Sequence, residues 1–154
     1  MNVRERLDQL GIKLPPPPKP AGAYVPAKRV GNLVYVSGQV PLKDGKPIAL
    51  GQVPSRCSIE DAKAAARQCV INALAAISAL PGGVDQIVGV ARVGAFISSD
   101  LGFTQQPAVA NGASELLIEI FGDSGRHARA AIGTNVLPLD TAVEVEFIFE
   151  AAAP

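Results

Sequence analysis

The chain has little of what most chemistry is built from. It has one histidine, two cysteines and no tryptophan. Cys57 and Cys69 are too few for a disulfide framework or a metal set. With no H-E-x-x-H and no paired C-x-x-C, a zinc site is not expected. There is no G-x-x-x-x-G-K-[ST] and no G-x-G-x-x-G, so nucleotide phosphates find no cradle. Charge of one sign is also missing: Lys plus Arg and Asp plus Glu stand at 14 each, which leaves no basic stripe for a nucleic acid. The longest nearly apolar run, Val70 to Leu80, is too short to span a bilayer. Arg4, Glu5, Arg6 and Asp8 stand where a secretory signal would carry its apolar segment. The default expectation is a soluble cytoplasmic protein with no membrane and no nucleic-acid partner.

What the chain does have is apolar content. At 154 residues and 48% hydrophobic, it is expected to form one domain with a real core. Asn2, with Glu5 three residues on, caps a short helix, and Gly11 followed by Ile12 stops it. Leu14 to Pro20 is a proline run that suits a polyproline spacer laid over the surface. A packing arm and an SH3-type ligand are both open readings of it, the arm favoured for want of a flanking recognition pattern. Residues 1–21 thus form an N-terminal helix and arm, and 22–154 the main domain. Arg29 to Ser37 reads as a strand with Gly31-Asn32 as a turn or bulge inside it. Lys43 to Lys46 reads as a hairpin turn and Ile48 to Val53 as a weak strand. Ser58 caps the clearest helix, with Ala62, Ala66, Cys69, Val70, Ala73, Leu74, Ile77 and Leu80 at helical spacing. Ile87 to Ser98 is a strand apolar on both sides apart from Arg92, and Val109 to Phe121 a second amphipathic helix.

The stretch from Gly125 to Glu150 reads as strand, turn at Leu137–Asp140, and strand. In the second strand Val143, Val145, Phe147 and Phe149 alternate with Glu144, Glu146, Ile148 and Glu150, the pattern of a half-buried strand. A hairpin centred between Pro138 and Leu139 sets Arg129 across from Ile148 and puts Arg129, Glu144 and Glu146 on one face over Ala131 and Gly133. Arg129 and Gly133 lie roughly 13 Å apart at about 3.3 Å per residue, a gap that suits a small acid and a water. A guanidinium binds a carboxylate bidentately, and a glutamate can take a proton from an attacking water. A slip of one residue would separate the two. The order strands, helix, strand, helix, hairpin implies an α+β sandwich with both helices on the Val/Phe face of one sheet. The Arg129 face is then left bare and apolar enough for subunits to pack there.

Three segments carry a resemblance. Ala23-Tyr24-Val25 with Gly31-Asn32-Leu33-Val34-Tyr35-Val36-Ser37-Gly38-Gln39-Val40-Pro41, Asn111 by the second helix, and Ala128-Arg129 to Glu144-Val145-Glu146 together resemble the YjgF/RidA family, also known as endoribonuclease L-PSP. The likeness runs from about Gly22 to Glu150. It implies a chorismate-mutase-like fold, one mixed sheet with two helices on one face, and a homotrimer with a barrel-like core and clefts between subunits. Archetypal members hydrolyse reactive enamines and imines to 2-keto acids and ammonia without a cofactor. Carried over on that resemblance, Arg129 holds the carboxylate of a small substrate, Glu144 assists the water, and Tyr24 packs over the ligand. Ser37, Gly38 and Asn111 shape the pocket or bond the ligand, and Ala131 stands where the archetypal branch often has a cysteine.

Plainer readings exist for these residues. Arg129 could be a strand charge paired with Glu146, Tyr24 a packing aromatic, and His127 a surface histidine in a Gly-rich loop. Ser37-Gly38 is no nucleophile elbow, having no G-x-S-x-G frame. Against imine hydrolysis stands non-catalytic binding of small carboxylic or 2-keto acids by the same arginine. A ribonuclease lacks both a phosphate track and an acid/base pair, and chorismate-mutase activity rests on fold alone.

Overall fold

The computed structural model describes residues 1–19 and 22–154; Pro20 of the proline run and Ala21, where the arm was expected to end, lie outside the described residues. Helix α1 (Val3–Gln9) opens on a reciprocal cap, Asn2 Oδ1 accepting from the Glu5 amide at 2.9 Å and the Glu5 carboxylate from the Asn2 amide at 3.0 Å. It closes with the amides of Gly11 and Ile12 donating to Asp8 and Leu7 carbonyls at 3.0 and 2.9 Å, and Gly11 takes the positive φ this stop demands. Val3, Leu7 and Ile12 are buried in the same core as the sheet.

The first two main-sheet strands are β1 (Ala27–Val30) and β2 (Leu33–Gln39). Gly31-Asn32 is the turn between them, so the Arg29–Ser37 stretch is a tight antiparallel hairpin rather than one strand. A second, small hairpin pairs β3 (Leu42–Lys43) with β4 (Lys46–Pro47). Its turn residues Asp44 and Gly45 both have positive φ, as an Asp-Gly type I′ turn requires. The weak strand expected over Ile48–Val53 is only two isolated bridges, Leu50 to Thr141 and Val53 to Ser99. Helix α2 (Ile59–Ile77) starts where Ser58 Oγ accepts from the Asp61 amide. Helix α3 (Gln106–Phe121) begins three residues before Val109, with Pro107 in its first turn, where a missing N–H costs nothing. The two helices cross so closely at Gly112 that a Cβ there would collide with the Lys63 carbonyl.

The remaining strands are β5 (Ile87–Ser98), β6 (Ala128–Thr134) and β7 (Val143–Ala151), and the sheet order is β1-β2-β7-β5-β6. It is a mixed sheet: β5 and β6 run parallel, joined through α3, and the other pairs are antiparallel. The expected hairpin of the last two strands is therefore wrong. β5 lies between β6 and β7, because a strand apolar on both sides belongs at the centre of a sheet. The link through Pro138–Asp140 steps past the end of β5 instead of turning back tightly.

The core lies on one face, where Val34, Val36, Val93, Ala95, Ile97, Val143, Val145, Phe147 and Phe149 are buried beneath α2 and α3. Neither helix covers the other face. There Val30, Tyr35 and Ile132 stand exposed and Phe96 and Ile148 half-buried, among the charged side chains of Lys28, Arg92, Glu144, Glu146 and Glu150. Among the described residues no helix is long and apolar enough to cross a membrane.

Candidate functional site

Register decides which residues can meet. Arg129 pairs with Val93, and Val93 with Phe147; side chains of directly paired residues project to one face, so Arg129 lies on the helix side. Glu144 pairs with Phe96, which pairs with Ile132, so Glu144 and Ile132 project from the open face. The expectation that Arg129, Glu144 and Glu146 share a face is overturned. With β5 between their strands, Arg129 and Glu144 stand roughly 10 Å apart across the sheet and roughly 10 Å along it, on opposite sides. The sequence-derived residues form two groups rather than one.

The first group is built on α3 and β6. Arg129 Nη1 donates to Asn111 Oδ1 at 2.8 Å and to Ser114 Oγ at 3.1 Å. Asn111 and Ser114 are three apart on α3 and therefore share one helix face. Behind Ser114 stands His127: its Nδ1 lies 2.6 Å from the Gly125 carbonyl and its Nε2 2.8 Å from Ser114 Oγ. A carbonyl can only accept, so Nδ1 carries the proton and Nε2 accepts from the serine hydroxyl. Burial, helped by the Arg129 charge, pushes the His127 pKa below its ordinary value, against the pull of the Gly125 bond. The imidazole is thus held neutral, the state this relay needs. The Nε and Nη2 edge of Arg129 has no partner among the described residues, and it is an edge whose fork geometry matches a carboxylate. Ala131 lies two residues along the same face, half-buried.

The second group gathers at a bulge in β2. Pairing with β7 shifts register between Val36 and Gln39, and within that bulge Gly38 lies against Glu144. A Cβ on Gly38 would lie 3.0 Å from the Glu144 carboxyl carbon and 3.1 Å from Oε2, so glycine here makes room for the acid. Ser37 is tied down, its Oγ donating to the Val25 carbonyl at 2.8 Å and its amide to Pro26 at 2.9 Å. Those bonds fix the segment carrying Tyr24, which is exposed and lines one cleft with Ser37 and Gly38. Glu144 accepts no hydrogen bond among the described residues. Partial burial, then the charge of Glu146, raises its pKa. Glu146 itself is paired with Arg92 at 3.2 Å across Gly94, so Arg92, and not Arg129, is its partner.

Asn111 therefore belongs with Arg129, and Tyr24, Ser37 and Gly38 belong with Glu144. Sequence reading missed Ser114 and set His127 aside. The signal was present: Ser114 lies three residues after Asn111 on a helix, and His127 two before Arg129, where strand parity puts both on one face. Cys69 is fully buried and its thiol pKa is pushed up by burial, as a small core hydrophobe. Among the described residues no cluster of histidine, cysteine and carboxylates could hold a metal ion.

Residues 4–151 match the family described as "YjgF/chorismate mutase-like, putative endoribonuclease". The chain belongs to the YjgF/RidA family. Within it, the chain is 39% identical to Protein TCP17 of Trypanosoma cruzi, over 96% of this chain and 93% of that protein. It is 31% identical to a 2-iminobutanoate/2-iminopropanoate deaminase of the mite Dermatophagoides farinae, over 89% of this chain and 92% of that one. Among solved structures, protein Atu1372 of Agrobacterium tumefaciens is 39% identical, with a TM-score of 0.88 over 97% of this chain and 92% of that one. The sandwich of one mixed sheet with two helices on one face is the YjgF/RidA fold.

Proposed function

We propose that this protein hydrolyses small reactive 2-imino or enamine acids to 2-keto acids and ammonia, without a cofactor, in a cleft completed between copies of the chain. The observation that carries the reading is the open edge of Arg129, its guanidinium fixed through Nη1 by Asn111 and Ser114 while Nε and Nη2 remain for a carboxylate. Glu144, with a raised pKa and no hydrogen-bond or ion-pair partner among the described residues, supplies the base. The name of the mite relative supports the reaction class.

In this reading Arg129 grips the substrate carboxylate bidentately and Tyr24 packs over the ligand. Glu144 removes a proton from water as its oxygen attacks the imine carbon. The C=N electrons move to nitrogen, which takes up a proton. The resulting carbinolamine then expels ammonia as its hydroxyl becomes the keto oxygen. Ser37, Gly38, Asn111 and Ala131 shape the space around these atoms. The two groups lie on opposite faces of one chain, so they can act on one molecule only when a neighbour supplies the missing half. The sheet face that neither helix covers, with its mixed apolar and charged side chains, suits such an assembly, and the family resemblance points to a homotrimer. The test is keto-acid formation from freshly generated imine, with sedimentation for the assembly. A rate unchanged in Arg129→Ala, or a monomer that turns over at full rate, would reject the proposal.

The Arg129 group is complete without Glu144, and this favours one second reading: non-catalytic binding of small carboxylic or 2-keto acids. Calorimetric binding together with absent turnover would select it.

A further inference from the structure

The proline arm has a place in the cleft. Pro15, Pro16 and Pro18 form one wall, and Val40 and Leu42 after β2, with Ala75 of α2, form the opposite side. The open cleft has a volume of about 570 Å³, within the range that takes drug-sized ligands and more than a three-carbon acid needs. The Asn72 amide and the Gln39 amide nitrogen are already engaged. Asn72 Nδ2 donates to the carbonyls of Val40 and Leu42 at 3.1 and 3.0 Å, its Oδ1 accepts from Gln68 at 3.0 Å, and Gln39 Nε2 donates to Ser37 at 2.9 Å. What a ligand meets is therefore mainly hydrocarbon, with Lys19 and Asp44 as charges of opposite sign. Ser37, Gly38 and Tyr24 line the same cleft, and Gly38 in turn lies against the Glu144 side chain. The wall is stiff by composition, since consecutive prolines are confined to an extended helix before any ligand arrives. It is also anchored, through Ile12 in the core and Leu14 packed against it.

We propose that the arm and the segment after β2 form a side-chain pouch, and that the acids this protein takes carry a bulky apolar group, branched aliphatic or aromatic, on the carbon next to the imine. This rests on the reading of the site given above. The carboxylate goes to Arg129, the reacting carbon lies by Glu144, and the side chain runs past Ser37 and Tyr24 beneath the prolines. The arm excludes water from the apolar end, so selectivity comes from burial and grows with side-chain size.

The test separates binding from chemistry. Calorimetry on the full chain compares pyruvate with 4-methyl-2-oxopentanoate and phenylpyruvate, stable keto acids of rising bulk. The expected result is at least tenfold tighter binding of the bulky pair. Pro16→Glu, on an exposed part of the arm, should remove that preference and leave pyruvate binding unchanged. Val40→Phe, at a half-buried position on the opposite wall, should do the same by filling the pouch, with circular dichroism confirming that each variant is folded. Equal affinity for all three acids, no binding of any, or an equal loss for small and bulky acids in Pro16→Glu would overturn the pouch. Imine turnover is scored separately. Pouch-dependent binding without hydrolysis would retire the catalytic reading and keep the pouch; hydrolysis of small imines with no size preference would do the reverse.

Discussion

The two half-sites differ in how they are held. Arg129 sits in a fixed frame: one amide oxygen, one hydroxyl and a histidine behind it spend Nη1 and leave the opposite edge free. Among the described residues Glu144 accepts no hydrogen bond; a glycine makes room for it, and the charge that acts on it is that of a like-charged neighbour. A binding group gains from pre-organisation, because the orientation entropy is spent in folding rather than in binding. A general base gains from poor solvation, because a destabilised carboxylate takes a proton more readily. If the two halves have those roles, altering each should change different kinetic parameters.

The largest effect is expected at the unpartnered acid. Glu144→Gln keeps shape and removes the base, so kcat should fall by about 10² to 10⁴ with KM nearly unchanged. Stability should move the other way. A carboxyl with a raised pKa favours the fold fully below its ordinary value and loses that contribution as pH rises through the raised one. The variant should therefore melt at or above the wild-type temperature at pH 7 and lose that advantage near pH 4. A fall in kcat with equal destabilisation at neutral pH would instead mark Glu144 as structural. Next comes Arg129→Lys, which keeps the charge and loses the fork. With two charge-assisted bonds reduced to a point contact, KM should rise by about 10² while kcat changes little, a loss of roughly 3 kcal/mol. An unchanged KM would show that the free edge of Arg129 does not meet the substrate.

A smaller effect is expected from the frame behind the arginine. Ser114→Ala removes one acceptor and should raise KM about fivefold, near 1 kcal/mol. The acid side of the profile is the sharper measurement. As pH falls through the lowered pKa of His127, Nε2 gains a proton and can no longer accept from Ser114, so Arg129 loses its fixed orientation and KM climbs. The stability the neutral contact contributes is likewise present above the ordinary histidine value and lost as pH falls through the lowered one. In Ser114→Ala that acid rise in KM should flatten. If wild type and variant show the same acid limb, His127 does not act through the serine.

What could be read from residues alone divides along the same line. Local physics wrote the caps at Asn2 and Ser58, the Gly11 stop, the Asp44-Gly45 turn and the bounds of β5, each decided within a few residues. The partner of β6 was not local. Arg129 to Thr134 mixes small, polar and apolar residues, which suits an edge strand; Ile87 to Ser98 is apolar on both faces, which suits a centre. Those two facts together argue for β5 beside β6, yet sequence adjacency suggested a hairpin, even though proline is an unusual residue for a tight two-residue hairpin turn. Parity then moved Arg129 to the helix side. Arg129 and Glu144 stood out from the strand pattern and Asn111, Tyr24, Ser37 and Gly38 only from the family resemblance, but the division of the six into two groups depended on strand order. Ser114 escaped because a hydroxyl in mid-helix looks the same in sequence whether it faces water or a guanidinium.

The smallest expected effect tests the like-charge influence on Glu144. Arg92 pairs with Glu146 across Gly94, and both side chains are partly exposed, so the pair itself adds little to stability. It does screen Glu146 from Glu144. In Arg92→Met the Glu146 charge stands unneutralised, and the pKa of Glu144 should rise further. If Glu144 is the base, the limb where kcat grows with pH should move upward by less than about one unit, with KM and melting temperature at neutral pH almost unchanged. The double variant Arg92→Met/Glu146→Gln should move it back below the wild-type position, because the repelling charge has gone. A limb unmoved by either change would mean that the group titrating in kcat is not Glu144, and that the open face takes no part in the chemistry.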